Sequence, residues 1–166
     1  MHSPMTRFKA VTKAKLLHCL LLLAIAGHAA AAHASLGGDS ASVETDRLQL
    51  RATAAARQTA APSGSYTVHE ILLPSGTRVR QYVSSAGAVF AVGWSGPFMP
   101  NLMQLLGPHF DALAARQASG NHAGQRFLSL HDPGLVIESG GHPRSYAGRA
   151  YLPGALPAGV TTAEIH

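Results

Sequence analysis

Between residues 66 and 94 the chain sets β-branched and aromatic residues into three short runs, 66–73, 78–84 and 89–94. Two turn signals of equal length separate them, Pro74-Ser75-Gly76 and Ser85-Ala86-Gly87. Such spacing leaves room for little except consecutive antiparallel hairpins. In the first loop Pro fixes φ at the leading turn position, and Gly takes the left-handed conformation that closes a three-residue connection. That loop predicts Leu73 opposite Thr77, Ile71 opposite Val79 and Glu70 opposite Arg80. The second loop, read the same way, predicts Tyr82 opposite Phe90 and Arg80 opposite Val92. One sheet face would then carry Tyr66, Val68, Tyr82, Phe90, Val92 and Trp94, with the Glu70–Arg80 pair among them.

After Pro97 and Pro100 the period changes. Leu102, Leu105, Leu106, Phe110 and Leu113 recur at helical spacing, with Leu102, Leu106, Phe110 and Leu113 expected as the buried stripe, and Gly107-Pro108 kinks the helix. Beyond a Gly120-Asn121 break, strands are expected at 125–131, 135–139 and 146–152, the first two joined by an Asp132-Pro133-Gly134 turn. The expectation is an α+β domain over residues 65–166: a mainly antiparallel sheet of five to six short strands with one kinked helix on its aromatic face. Residues 35–64 are rich in Ala, Ser, Thr and Gly, with few large apolar side chains, among them Val43, Leu48 and Leu50. They read as a flexible linker with room for one short helix.

The first 34 residues read as a signal peptide. Arg7, Lys9, Lys13 and Lys15 precede an apolar run at 16–26, and Ala32-His33-Ala34 offers the small-x-small step at which a signal peptidase cuts. The mature chain would begin at Ser35. Initiation at Met5 rather than Met1 gives a leader of ordinary length. Cys19 lies inside the apolar run, so no cysteine is placed to take a lipid anchor.

Removing the leader changes what the composition means. The net charge of +5 includes its four basic residues, and from Ser35 onward nine arginines face eight acidic residues. Those arginines are dispersed, which argues against nucleic acid as a partner. Membrane contact is expected only through the uncleaved leader. Lysine and cysteine are both missing from the mature chain. Disulfides, thiolate nucleophiles, cysteine-ligated metals and Schiff-base chemistry are therefore excluded together, and the fold must be held by packing.

Several stretches resemble one known family. Tyr66-x-Val68-x-Glu70, Ser75-Gly76-Thr77-x-Val79-Arg80-x-Tyr82-Val83, Val89-Phe90-Ala91-Val92-x-Trp94-x-Gly96-Pro97-x-x-Pro100-x-Leu102, Ser139-Gly140-Gly141-His142 and Tyr146-x-Gly148-Arg149-Ala150-Tyr151-Leu152-Pro153 are similar, in this order, to an uncharacterised family of exported bacterial proteins, domain of unknown function 2844. The resemblance implies a Gram-negative exported protein. It supplies no activity, cofactor or catalytic residue.

Chemistry must then be sought residue by residue. Gly93-Trp94-Ser95-Gly96 lacks the second glycine spacing of a nucleophile elbow and reads as a strand end. Ser139-Gly140-Gly141-His142 reads as a turn, with an anion-binding nest as the functional variant. No pair among His69, His109, His122, His131, His142 and His166 has metal-ligand spacing, and no metal or other cofactor is expected. His109 reads as a half-buried helix residue, whereas His69, His131 and His166 read as surface residues. Glu70 reads as the partner of Arg80, and no carboxylate pair has glycosidase spacing. The leading expectation is a non-catalytic binding or envelope-accessory domain that takes a small ligand or an envelope protein through Trp94, Tyr82, Arg80 and His142. The alternative is a small hydrolase or metal-dependent enzyme built on His142 with Ser139, or on His131 with Asp132.

Overall fold

The computed structural model describes residues 36–52, 56–119 and 127–166. The leader, its cut before Ser35, the Gly120-Asn121 break, His122 and the expected strand start at 125 lie outside the described residues.

Seven strands form one antiparallel sheet: β1 (Arg57–Ala60), β2 (Tyr66–Leu72), β3 (Arg78–Ser84), β4 (Val89–Gly96), β5 (Leu128–Asp132), β6 (Leu135–His142) and β7 (Ser145–Tyr151). Their order across the sheet is β1-β2-β3-β4-β7-β6-β5. The expected α+β class holds, with seven strands in place of five to six. The added strand is β1, an exposed Arg-Gln-Thr-Ala segment with no apolar alternation to announce it. It is held by pairing along β2, from Arg57 opposite Glu70 to Ala60 opposite Thr67.

The first hairpin has the expected register: Glu70 pairs with Arg80 and Ile71 with Val79. Leu73 and Thr77 close the loop, and Gly76 takes φ +83°. The second begins as expected, with Val83 opposite Val89 and Gly87 at φ +84°. A β-bulge then intervenes, so that Tyr82 faces Ala91 and Arg80 faces Gly93. A bulge inserts one unpaired residue and shifts everything beyond it to the opposite face. The single aromatic face is therefore corrected to two. Val92 and Trp94 join Ile71 and Val79 on one side, while Tyr66, Tyr82, Phe90 and Ala91 cluster on the other. The Leu152 amide donates to the Phe90 carbonyl oxygen at the bulge (3.0 Å).

The helices cover the Trp94 side. Helix α1 is Ser42–Gln49, α2 is Leu102–Leu106, a 3₁₀ turn spans Gly107–His109, and α3 is Phe110–Ser119. The kink at Gly107-Pro108 is where the sequence placed it. Leu105, Leu106 and Leu113 are buried, whereas Leu102 and Phe110 pack at the edge of the core. Leu105 thus replaces Leu102 in the buried stripe. None of the described helices is long and apolar enough to cross a membrane.

The segment read as a linker belongs to the core. Leu36, Val43 and Ala52 are buried with the helices, and residues 37–39 bond to the start of β4. Too few apolar residues made this segment look unstructured, yet a polar contact fixes it. Asp46 on α1 is fully buried and accepts hydrogen bonds from the side-chain amides of Gln81 on β3 and Gln104 on α2 (2.6 Å for Gln104). His69, expected at the surface, is 8% exposed on this same face.

Residues 152–166 return across the other face as a strap. Ile165 is buried against Tyr66, Tyr82 and Phe90, and Leu156 and Val160 pack beside it. The Thr162–Glu164 turn carries a reciprocal capping box between Thr161 and Glu164.

Candidate functional site

Strand alternation lays a row of charge across the strap side. Arg57, Glu70, Arg80, Gly93, Arg149, Glu138 and Ser129 stand opposite one another from β1 to β5. Glu70 takes Arg80 at 3.1 Å and Arg78 at 3.2 Å. Glu138 takes Arg149 at 2.7 Å. Between the two pairs, Gly93 has no side chain because the His166 carbonyl oxygen occupies that space, only 2.9 Å from where a Cβ would stand. Arg80 Nη1 (2.9 Å) and the Tyr82 hydroxyl (3.0 Å) donate to that oxygen. Arg149 Nη1 donates to the Thr162 carbonyl at 2.5 Å. The Tyr66 hydroxyl donates to Glu164, and burial first, then the Glu164 carboxylate, pushes its pKa up to about 12.

Beside this belt the face opens into a groove of about 800 Å³. Its floor is a cross-strand row of small residues, Ser95, Ala147 and Gly140. Ile165 and His166 bound it at the strap, and Arg80, Arg149 and Glu138 line its charged side. At the other side the Phe127 ring lies on Gly140, 2.5 Å from where a Cβ would be, and is 73% exposed. An aromatic ring left this open next to a concave apolar surface is the arrangement that ligands exploit.

The four residues expected to bind are not gathered at one point. Arg80 and His142 border the groove. Trp94 is 2% exposed and borders it only from the buried side of β4, its ring packed in the helix-side core. Its indole N–H has no partner among the described residues. Tyr82 lies under the strap, at an adjoining pocket of about 310 Å³ that also contains Arg57, Glu70 and Arg80.

The paired candidates come apart. Ser139 is buried, its hydroxyl donating to the Ala147 carbonyl oxygen at 3.2 Å. His142 is exposed and donates from Nδ1 to the Pro143 carbonyl at 3.2 Å. They border a common pocket of about 520 Å³, yet each is bonded to a backbone carbonyl rather than to the other. The Ser139-Gly140-Gly141-His142 run is corrected from turn to strand, since β6 extends through it and pairs with β7. Gly93-Trp94-Ser95-Gly96 likewise stays in β4, as read.

His131 and Asp132 alternate across β5, and His131 engages other partners. Its Nδ1 lies 3.1 Å from Ser129 Oγ and its Nε2 lies 2.9 Å from Glu138 Oε1. The hydrogen bond from His131, then that from Arg149, holds the Glu138 carboxyl below its ordinary range. The spacing Ser129-x-His131 on a strand was the readable signal for this group, together with a two-residue loop at Pro133-Gly134 that sets Ser129 opposite Glu138. No cluster of three or more acidic, histidine or cysteine side chains among the described residues could hold a metal ion.

The fold so defined is a seven-stranded antiparallel sheet with helices on one face and a groove beside a chain strap on the other. A family described as protein of unknown function, DUF2844, matches residues 32–165, and the chain belongs to it. Neither the curated proteins nor the solved structures contain a match.

Proposed function

We propose that the chain is an exported envelope protein whose domain binds a small ligand in the groove between Phe127 and the strap. Export is supported by the order of basic leader, short apolar run and Ala32-His33-Ala34 step. Binding is supported by one observation above the others: a concave surface floored by Ser95, Ala147 and Gly140, with an exposed aromatic ring on one side and paired arginines on the other. Apolar walls supply affinity, and a few fixed polar groups supply orientation. Arg80 and Arg149 are suited to the second role because Glu70 and Glu138 already hold their guanidinium groups in place.

Two measurements test this reading. N-terminal sequencing of the secreted protein is expected to begin at Ser35, and a mature product retaining residues 16–26 would remove the export half. Ligand-observed NMR with a fragment library, run on the mature chain and on Ala147→Phe, tests the other half. Hits are expected to disappear when the new ring fills the groove. Hits that bind both proteins equally would place binding elsewhere.

A further inference from the structure

The lip of the groove carries side chains that binding alone does not use. Ser129 and His131 share one face of β5, Glu138 stands opposite Ser129, and Arg149 stands opposite Glu138. Proton positions follow from the contacts. A carboxylate can only accept, so His131 holds its ring proton on Nε2 and donates it to Glu138. The Nδ1 lone pair is then left facing the Ser129 hydroxyl at 3.1 Å. Glu138 is in turn fixed by Arg149, whose Nε donates to its second oxygen at 2.8 Å. A hydroxyl on a base, and a base oriented by an anion, is the arrangement that activates serine on unrelated folds.

We propose that Ser129 is a nucleophile with His131 as its base, and that it cleaves carboxylic esters whose acyl group lies in the groove. Glu138 and Arg149 are positioning residues. The inference rests on the groove reading only for the seat of the acyl chain. Ser129 and Glu138 both line that groove. In the first half-reaction Ser129 Oγ attacks the carbonyl carbon and its proton passes to His131 Nδ1. The C–O bond to the alcohol then breaks, and the leaving oxygen takes that proton. In the second, water attacks the acyl-serine, gives a proton to Nδ1, and the acid departs as Ser129 recovers its hydrogen. Since β5 is an edge strand of the sheet, its outward backbone N–H groups are the donors available to the oxyanion.

The mature chain treated with a fluorophosphonate is expected to carry the adduct on Ser129, located by peptide mass spectrometry. p-Nitrophenyl esters of two to eight carbons are expected to be hydrolysed, with a rate that depends on pH as general-base catalysis requires. Ser129→Ala should abolish both signals, and His131→Gln should lower hydrolysis on the order of 100-fold. Glu138→Gln should reduce turnover and distort the pH profile, with partial rescue by Glu138→Asp. A purely structural Glu138 would leave the profile unchanged. Thermal melts of each variant, with exposed Leu48→Ala as control, separate loss of chemistry from loss of fold. No adduct on folded wild type, or equal hydrolysis by Ser129→Ala, would overturn the proposal. A Ser129 adduct with chain-length preference unaltered in Ala147→Phe would keep the nucleophile and remove the groove as its acyl seat.

Discussion

On the helix side the sheet offers Ile71, Val79, Val92, Trp94, Ile137 and Ala150 to Leu105, Leu106 and Leu113, and nearly all of this surface is sealed. On the strap side the same strands offer arginines and glutamates, covered in part by residues 152–166 and left open above Ser95, Ala147 and Gly140. Burial of apolar area stabilises in proportion to the area removed from water, whereas half-exposed ion pairs contribute little. The helix-side core and the smaller Tyr66, Tyr82, Phe90 and Ile165 cluster under the strap therefore hold the domain together, which frees the charged belt and the groove beside them to carry ordered charge and a cavity. Substitutions of equal size should cost stability on the helix side and function in the groove and charged belt.

The largest effect is expected from Leu106→Ala. This side chain is fully buried between helix and sheet, and truncation of such a leucine costs roughly 2–5 kcal/mol. Urea unfolding would measure it. A loss no greater than the approximately 1 kcal/mol seen for surface positions would mean that the helices are not what stabilises the sheet. Phe110→Ala should cost less than Leu106→Ala, because Phe110 packs only at the margin of the core.

Next comes Asp46, the one buried acid among the described residues. Asp46 is fully buried with amide partners only, and burial raises its pKa from 3.8 to about 7 against the opposing pull of the Gln104 and Gln81 hydrogen bonds. Because the folded state holds this proton more tightly than the unfolded chain, its contribution is complete below about pH 4 and is lost as pH rises to about 7. A shift of that size corresponds to at most about 4 kcal/mol. Asp46→Asn keeps the shape and cannot ionise. The variant's melting temperature is expected to gain on wild type steadily between pH 4 and 7.5. His69, whose pKa burial lowers, and Glu138 contribute in the opposite direction, losing stability as pH falls, and they are common to both proteins. A difference that does not vary with pH would show that Asp46 is ionised in the fold throughout.

Asp46 also shows where the sequence was legible and where it was not. The first hairpin followed from Pro74-Ser75-Gly76 alone, since loop length and left-handed Gly76 set the register of every pair from Leu73 to Tyr66. The same logic gave the start of the second hairpin and failed at Phe90, because a bulge depends on how the strand must twist to pack and leaves no fixed residue signature. That one residue moved Trp94 out of the expected binding surface. The short helix at Ser42–Gln49 had room in the reading of residues 35–64, but its place in the core, and β1, were hidden for a different reason. They are fixed by Asp46 reaching two glutamines and by backbone pairing along β2, and neither contact has a periodicity to read. The groove was equally hidden. It is made where side chains are short or missing, at Ser95, Gly140 and Ala147, and of a strap that returns from residue 152 onward.

On the strap side Glu70→Gln should have a small effect. Glu70 and Arg80 are 29% and 25% exposed, so the pair is expected to contribute at most about 1 kcal/mol. A loss near that of Leu106→Ala would mean that the charged belt is structural and would erase the contrast between the faces.

The smallest effect on stability, and the most telling one, belongs to Phe127→Ser. Its ring is 73% exposed and lies on the bare backbone of Gly140, so unfolding free energy should change by no more than about 0.5 kcal/mol, as for other surface sites. An apolar ring retained in water at that position has no stabilising role to explain it, and the groove beside it supplies one. Fragments that bind wild type are therefore expected to weaken at least tenfold in Phe127→Ser while the melting temperature stays in place. The two readouts must separate for the comparison to hold. If melting temperature and binding fall together, Phe127 is part of the packing that closes the β5 edge, and the groove is a gap in that packing; if neither moves, the groove binds through Arg80 and Arg149 alone, and its ligand is recognised by charge.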